Sequence, residues 1–156
     1  MVNVEYINPF IEAAQTVIRD FCHVEARVGK PYLSQATYEG NTLMIIVGIT
    51  GDLRGQVLIN MTSDVACSIA SHMMMGMPVN ELNDMAKSAI SELGNMILGN
   101  AATLFSKKAI TLDITPPSVC AGMNLSISVS DSKTICIPLV FDENKTIEIN
   151  VAIKEK

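Results

Sequence analysis

The chain contains 156 residues, of which 49% are hydrophobic and 17% are charged, and its formal net charge is −5. This length predicts one domain over residues 1–156, and the negative charge without a basic cluster argues against nucleic acid and anionic membranes as partners. The first residues lack a basic, apolar leader and no apolar run is long enough to span a bilayer, so we expect a cytoplasmic protein.

The first half of the sequence predicts a helix, three strands and a second helix. Asn8 predicts the N-cap of the first helix, with Pro9 in the first helical position, and Phe21 ends its apolar face. Gly51-Asp52 lies between two apolar runs and predicts a hairpin turn, and Ser63 predicts the cap of the second helix. The predicted elements are helix 8–21, strands 31–37, 42–50 and 55–61, and helix 63–75.

The second half repeats this order of elements. A long helix is predicted over about residues 81–107, and four strands follow it. Two helix-plus-strand units in tandem indicate an α+β fold with pseudo-two-fold symmetry, in which repeats at about 1–78 and 79–156 pack two long helices on one central antiparallel sheet. The four strands are predicted at about 118–123, 125–130, 134–141 and 146–153.

The long helix carries a polar stripe beside its apolar face. Four residues recur at steps of four and three, which places them on one side of a helix, roughly 120° from the centre of the apolar face. They are Ser88, Glu92, Asn95 and Gly99. A glycine inside a helix costs about 1 kcal/mol relative to alanine, so Gly94 and Gly99 indicate tight packing or the close approach of another molecule. The residues predicted to face the core are Leu82, Met85, Ala86, Ala89, Leu93, Met96, Ile97 and Leu104.

The motif Ser88-x3-Glu92-x2-Asn95, with Pro116-Pro117 about two dozen positions later, resembles the signature of the CheC/CheX/FliY family of bacterial chemotaxis phosphatases. The resemblance to the CheX members of this family covers nearly the whole chain. An ordered set of similar segments is much more specific than the short signature alone. These segments are residues 29–31, 47–51, 54–55, 74–77, 92–96 and 113–117.

The resemblance implies a CheC-like fold and a phosphatase that hydrolyses the aspartyl phosphate of a phosphorylated CheY-like response regulator. The regulator would supply its own aspartate, lysine and Mg²⁺, so no cofactor or metal ion is expected in this chain. Asn95 would orient the attacking water and Glu92 would pair with the regulator's lysine, while Ser88, Gly99 and Pro117 would support the contact. A carboxamide suits this task because it both donates and accepts hydrogen bonds.

Two other functions remain as alternatives. A non-catalytic adaptor of the same fold would bind a regulator or a chemotaxis deamidase, and a structural subunit would only take part in an assembly. The intact pair of Glu92 and Asn95 favours the enzyme over the adaptor. Polar residues at helical spacing are, however, also typical of a solvated helix face, so the spacing alone does not establish a site.

The first helix carries a related stripe, in which Glu12 and Gln15 occupy the positions of Glu92 and Asn95. Arg19 stands where the long helix has a glycine, at a point that a partner would need to approach closely. We therefore interpret the stripe on the first helix as a solvated face, and a degenerate second site at Glu12 and Gln15 is the alternative.

The resemblance also implies a homodimer that is joined through sheet edges. Exposed edges readily pair with another chain, and the predicted strands 125–130 and 134–141 contain few charges that would prevent such pairing. Two-fold pairing is the commonest closed arrangement of identical chains.

Several distinctive side chains are predicted to be structural. The four cysteines form no Cys-x2-Cys pair and are expected to be buried as small apolar residues. The methionines at 73–75 and Met77 are expected in the core and at a helix end rather than on a binding surface. Asn100 falls on the core-facing side of its helix, so we expect it to be buried with a partner or near the helix's exit from the core.

Overall fold

The computed structural model describes residues 4–33, 36–37, 39–127, 134–142 and 144–155. The α-helices in this part of the chain are α1 (Asn8–Cys22), α2 (Ser63–Met73) and α3 (Asp84–Ser106), and a short 3-10 helix (Val4–Tyr6) precedes α1. Within these ranges, no helix combines the length and the apolar character needed to cross a membrane.

The described residues form ten strands beside the helices, and all the pairings of these strands are antiparallel. They are β1 (Arg27–Val28), β2 (Tyr32–Leu33), β3 (Ala36–Thr37), β4 (Asn41–Gly51), β5 (Leu53–Thr62), β6 (Leu112–Ile114), β7 (Ser118–Met123), β8 (Ser126–Ile127), β9 (Ile135–Phe141) and β10 (Lys145–Glu155). Eight strands form one sheet in the order β1-β9-β10-β5-β4-β6, where β2 also pairs with β9 and β7 with β4. The other two, β3 and β8, form a separate pair.

The strand order is symmetric about the central β5–β10 pair. On one side, β9 is extended by β1 and β2 from the first half of the chain, and on the other side β4 is extended by β6 and β7 from the second half. The α+β class with long helices on a central antiparallel sheet is therefore confirmed. The division into repeats at about 1–78 and 79–156 fits this strand order and stays a prediction.

The β4–β5 hairpin forms where the sequence predicts it, with Ile49 opposite Gly55. At the turn, Gly51 has a φ of 112°, and a Cβ there would lie 2.5 Å from the carbonyl oxygen of Thr111. Only glycine fits this position without strain. The next residue, Asp52, accepts a hydrogen bond through Oδ2 from the backbone nitrogen of Thr111 at 2.8 Å, which ties the hairpin to the segment after α3.

One core joins the helices to the sheet. Alternate residues of the long strands face the helices, and Ile45, Ile59 and Ile149 are fully buried there, as the period-two pattern requires. The two long helices contact each other through Phe10 of α1 and Phe105 of α3, whose ring centroids lie 5.3 Å apart in an edge-to-face arrangement. Such a ring pair contributes about 0.5–1.5 kcal/mol beyond the area it buries.

The N-caps of α1 and α2 each lie one residue before the predicted positions, and α3 begins at Asp84 rather than at about residue 81. Ile7 occupies the N-cap position of α1, and Asn8, which was predicted there, is the first helical residue. Ser63 likewise begins α2, because Thr62 is its cap and accepts a hydrogen bond through Oγ1 from the nitrogen of Val65 at 3.3 Å. Cap residues stand on the boundary between two conformations, so a sequence pattern locates them only approximately.

Other differences concern the helix end and the short strands. Phe21, predicted to face the core, is 46% exposed, and Cys22 is buried in its place before the chain turns at His23 with a φ of 58°. The strand predicted over 31–37 is replaced by β2 and β3, with residues 34–35 outside the described part. Of the strand predicted over 125–130, only β8 lies among the described residues. The sequence did not predict β1 and β6, which are too short to show a pattern.

Candidate functional site

Helix α3 positions the predicted site, and its own sequence explains where it begins. The side chain of Asn83 caps the helix, since its Oδ1 accepts a hydrogen bond from the nitrogen of Ala86 at 2.8 Å. One face of the helix is buried against the rest of the molecule. The buried residues are Ala86, Ile90, Leu93, Gly94, Ile97, Leu98, Ala101 and Phe105.

The polar stripe lies on the opposite face of α3. The side chains of Ser88, Glu92 and Asn95 are exposed, and Gly99 is half-buried. In the described part of the chain, neither Glu92 nor Asn95 has a side-chain hydrogen bond or an ion pair. The structure therefore brings together the residues that the spacing predicted, and leaves the hydrogen-bonding groups of both side chains available to another molecule.

The two glycines of this helix have different surroundings. A Cβ at Gly94 would lie 3.0 Å from Cγ2 of Ile45 and 3.1 Å from its Cδ1, so the bare backbone allows α3 to pack closely on β4. A Cβ at Gly99 would meet no atom within 4 Å. Packing within the described chain therefore explains Gly94 and does not explain Gly99.

Pro117 follows β6 in the segment that leads into β7, and both of these strands contact α3. Thr115, two residues before Pro117, ties this segment to β4. Its Oγ1 accepts a hydrogen bond from the nitrogen of Gly48 at 2.8 Å, and its own backbone N–H donates one to the carbonyl oxygen of Gly48 at 3.0 Å. Pro117 itself is half-buried. The structure thus holds the proline segment close to the sheet that supports α3.

The corresponding stripe on α1 is arranged differently. Glu12 is exposed, but the Nε2 atom of Gln15 donates a hydrogen bond to the carbonyl oxygen of Ala26 at 3.1 Å, within a half-buried environment. Arg19 is exposed and pairs with Asp20 at 3.3 Å. Gln15 therefore serves a structural contact, and its carboxamide nitrogen is already occupied.

Two residues of α3 do not lie where helical periodicity placed them. Asn100 is exposed rather than buried, and it lines a cleft of about 210 Å³ between α1 and α3 together with Glu12, Thr16 and Lys107. Met85, predicted to face the core, is 62% exposed. Periodicity gives the angle of a side chain around the helix, and the neighbouring elements decide which angles are covered.

The methionines before α3 also differ from the prediction. Met73 ends α2 and is half-buried against the core, and Met74 at the helix C-cap is also half-buried. Met75 is 98% exposed and Met77 is 57% exposed. The expectation that this group lies in the core is therefore wrong for Met75 and Met77, while its location at a helix end is confirmed.

All four cysteines are free thiols. Cys22 and Cys136 are buried as predicted, and burial raises the pKa of both thiols to about 11, so both are protonated and unreactive at neutral pH. Cys67 is half-buried and Cys120 is exposed, so the prediction of burial is wrong for these two.

A separate cleft of about 480 Å³ lies between α2 and residues 78–80, and its lining includes Asp64, Cys67 and His72. Among the described residues, no three side chains of His, Cys, Asp or Glu are placed to hold a metal ion. The stripe on α3, whose exposed side chains carry the motif that the sequence singles out, is the stronger candidate site.

Comparison with known proteins points to one family. The family model described as chemotaxis phosphatase CheX matches residues 43–140. The CheY-P phosphatase CheX of Thermotoga maritima is 32% identical over 148 residues, which cover 95% of each chain. A chain in the crystal structure of the CheX-CheY-BeF3-Mg²⁺ complex from Borrelia burgdorferi is 33% identical, with a TM-score of 0.83 over 98% of this chain and all of that one (100%). A CheC-like superfamily protein from Shewanella sp. PV-4 has a TM-score of 0.85 and 26% identity, over 98% of this chain and 99% of its own.

Proposed function

This chain belongs to the CheX family of chemotaxis phosphatases, and we propose that it hydrolyses the aspartyl phosphate of a phosphorylated CheY-like response regulator. The observation that supports this most directly is the exposed pair of Glu92 and Asn95 on one face of α3. Both side chains point away from the core, and the open space at Gly99 beside them allows another protein to approach the helix closely.

In the proposed reaction, Asn95 orients the water that attacks the phosphorus atom. Its carboxamide oxygen accepts a hydrogen bond from the water and its nitrogen donates one to an oxygen of the phosphoryl group, so Asn95 acts by positioning and takes up no proton. A carboxamide has the same task in small GTPases, where a glutamine orients the attacking water. The aspartate of the regulator leaves as a carboxylate, which makes the P–O bond comparatively easy to break.

Glu92 anchors the regulator in this proposal. It lies almost one helical turn before Asn95, and its carboxylate is available for an ion pair with a lysine of the regulator. That pair fixes the register in which Asn95 enters the phosphorylation site. Ser88 lies one turn earlier on the same stripe and supports the contact, as does the proline segment around Pro117 beside the helix.

The metal ion in this scheme belongs to the partner. The Borrelia burgdorferi complex pairs CheX with CheY, BeF3 and Mg²⁺, and beryllofluoride is a stable mimic of a phosphoryl group. By analogy, Mg²⁺ held by the regulator stabilises charge on the phosphoryl oxygens. The residues of this chain contribute water orientation and docking.

We also propose a cytoplasmic location, because four free thiols fit a reducing compartment.

Phosphate release from a purified regulator tests this function. The regulator is phosphorylated with a small-molecule phosphodonor in the presence of Mg²⁺, the donor is removed, and the decay of the phosphorylated form is followed with and without this chain. Catalytic amounts of the chain should accelerate the decay well above the regulator's own rate. Binding without acceleration would instead support the non-catalytic adaptor.

Gln15→Ala is expected to leave the phosphatase rate within about twofold of the wild type, because the carboxamide of Gln15 is engaged with the carbonyl of Ala26 rather than presented to a partner. The same decay assay measures this. A large loss of rate with an unchanged melting temperature would show that α1 carries a second working site.

We further propose a homodimer that forms through a sheet edge. The predicted edge strand 134–141 corresponds to β9, which lies inside the sheet between β10 and the β1–β2 pair, so that part of the prediction is wrong. The sheet ends at β1 and β2 on one side, where Val28, Tyr32 and Leu33 are exposed. An exposed apolar sheet edge readily pairs with a second copy.

Light scattering at micromolar concentration should give twice the 16.8 kDa of one chain. Leu33→Lys is expected to reduce this mass toward that of the monomer, since it places two like charges close together across a two-fold axis. Met123→Lys, at the opposite edge of the sheet, is the matched control and should leave the mass unchanged. A wild-type mass near that of one chain would reject the dimer.

A further inference from the structure

Met85 is a large apolar side chain that the fold turns toward solvent. It lies in the first turn of α3 and is 62% exposed, although its neighbour Ala86 is fully buried. Among the described residues of α3, no other large apolar side chain is as exposed. Burial of an apolar side chain is favourable, so Met85 is available to stabilise a complex with a partner that covers it.

The position of Met85 relates it to the site. Met85 precedes Glu92 by seven positions, a rotation about 20° short of two full turns, so both side chains lie on the same face of α3, about 10 Å apart along its axis. Ala89 and Met96, both half-buried, lie within about 40° of Met85 around the helix. The exposed face of α3 therefore has an apolar edge formed by these three residues beside the polar stripe that carries Asn95.

The other end of the exposed face is polar. Beyond Gly99, the outward positions are occupied by Thr103 and Ser106, both of which are exposed. The hydroxyl of Thr103 is engaged within the helix, where it donates a hydrogen bond to the carbonyl oxygen of Gly99 at 3.1 Å. Among the described residues of α3, the apolar surface that a partner can bury on this face therefore lies toward the start of the helix.

The distance from Asn95 places Met85 within reach of a docked protein. A protein interface of standard size buries about 800 Å² on each partner, which corresponds to a disc of roughly 16 Å radius. Met85 precedes Asn95 by ten residues, or about 15 Å along the helix. A regulator whose phosphorylation site receives Asn95 therefore covers Met85 if it extends toward the start of α3. Polar pairs contribute more to specificity than to affinity, so an apolar contact at Met85 would add to the affinity that Glu92 and Asn95 provide.

We infer that Met85 is an apolar docking contact for the phosphorylated regulator, in addition to Glu92 and Asn95. This inference rests on the proposed function. The contact lies far from the phosphoryl group and is the same before and during the reaction, so it contributes to regulator binding and not to the chemical step. The unbranched, adaptable side chain of methionine suits a contact with an apolar patch on the rim of the regulator's phosphorylation site.

Titration with a CheY-type regulator that carries beryllofluoride and Mg²⁺ tests this contact. Met85→Ala is expected to weaken binding about tenfold, because the variant loses most of the apolar surface that the regulator buries at this position, and Met85→Leu is expected to restore most of the affinity. In the decay assay, Met85→Ala should raise KM by a similar factor and leave kcat near that of the wild type. Met123→Ala is the matched control, because Met123 is 65% exposed but lies at the end of β7 rather than on α3.

The outcomes separate this inference from the function on which it rests. If the wild type neither binds the regulator nor accelerates the decay, both fail. If the wild type is active and Met85→Ala binds the loaded regulator as tightly as the wild type does, only the docking contact is overturned. An equal loss of affinity in Met123→Ala would also overturn the docking contact, because the effect would then not be specific to the exposed face of α3. Alanine favours a helix more than methionine, so unfolding of the variant is not expected.

Discussion

Asn95→Ala is expected to lower the rate of regulator dephosphorylation by a factor on the order of 10² or more. Other enzymes lose a similar factor when one positioned catalytic group is removed. The physical reason is that alanine can neither accept from the attacking water nor donate to the phosphoryl group. The side chain is exposed and makes no hydrogen bond within the described chain, so its removal should not change the melting temperature.

The helix itself supplies a matched control for this experiment. Asn100→Ala removes the same side chain from an exposed position five residues later, in the cleft beside α1. It should retain nearly the full rate, because it lies off the polar stripe. If Asn95→Ala retains a near-normal rate while its melting temperature is unchanged, Asn95 does not orient the water. If both variants lose activity equally, the effect belongs to the helix as a whole.

Glu92→Lys is expected to weaken binding of the beryllofluoride-loaded regulator on the order of 10²-fold or more. The substitution replaces an attractive contact with the regulator's lysine by two like charges at close range. Glu92→Ala removes the attraction without adding repulsion, so its effect should be smaller. Titration of each variant with the loaded regulator provides the measurement, and a rise in KM should accompany the loss of affinity.

Glu12→Lys is the control for this charge reversal. Glu12 occupies the position on α1 that corresponds to Glu92, and it is also exposed. Both substitutions change the net charge of the chain by the same amount, so any difference between them reports a local contact rather than long-range steering. Equal affinity of the wild type and Glu92→Lys would remove Glu92 from the interface.

Together the two variants distinguish an enzyme from an adaptor. In the proposed mechanism, Asn95→Ala still binds the loaded regulator but turns it over slowly, whereas Glu92→Lys fails mainly at binding. An adaptor would lose binding in Glu92→Lys and show no catalytic defect in Asn95→Ala, because the wild type would have no rate to lose.

Much of the candidate site could be predicted from the spacing of residues along one helix. Ser88, Glu92 and Asn95 lie on one exposed face because the period of an α-helix is the same in every protein. The same reasoning was wrong for Met85 and Asn100, which it placed toward the core. Their exposure depends on how far α1 and the other elements extend around α3, and helical spacing contains no information about that.

The elements whose signals are local could be predicted from the chain alone. The β4–β5 hairpin follows from two apolar runs and a Gly51-Asp52 turn that lie next to each other in the chain, and the polar stripe of α3 follows from helical spacing. The resemblance to the CheC/CheX/FliY family likewise rests on residues in sequence order.

The features that join distant residues became apparent only in the folded molecule. The short edge strands acquire their places by pairing with the opposite half of the chain, as β1 does with β9 and β6 with β4. The roles of Gly94 and Gly99 look alike in the sequence, and they differ because Ile45 lies against the first and open space lies against the second. Contacts of this kind depend on the packing of elements dozens of residues apart, which no local pattern of side chains encodes.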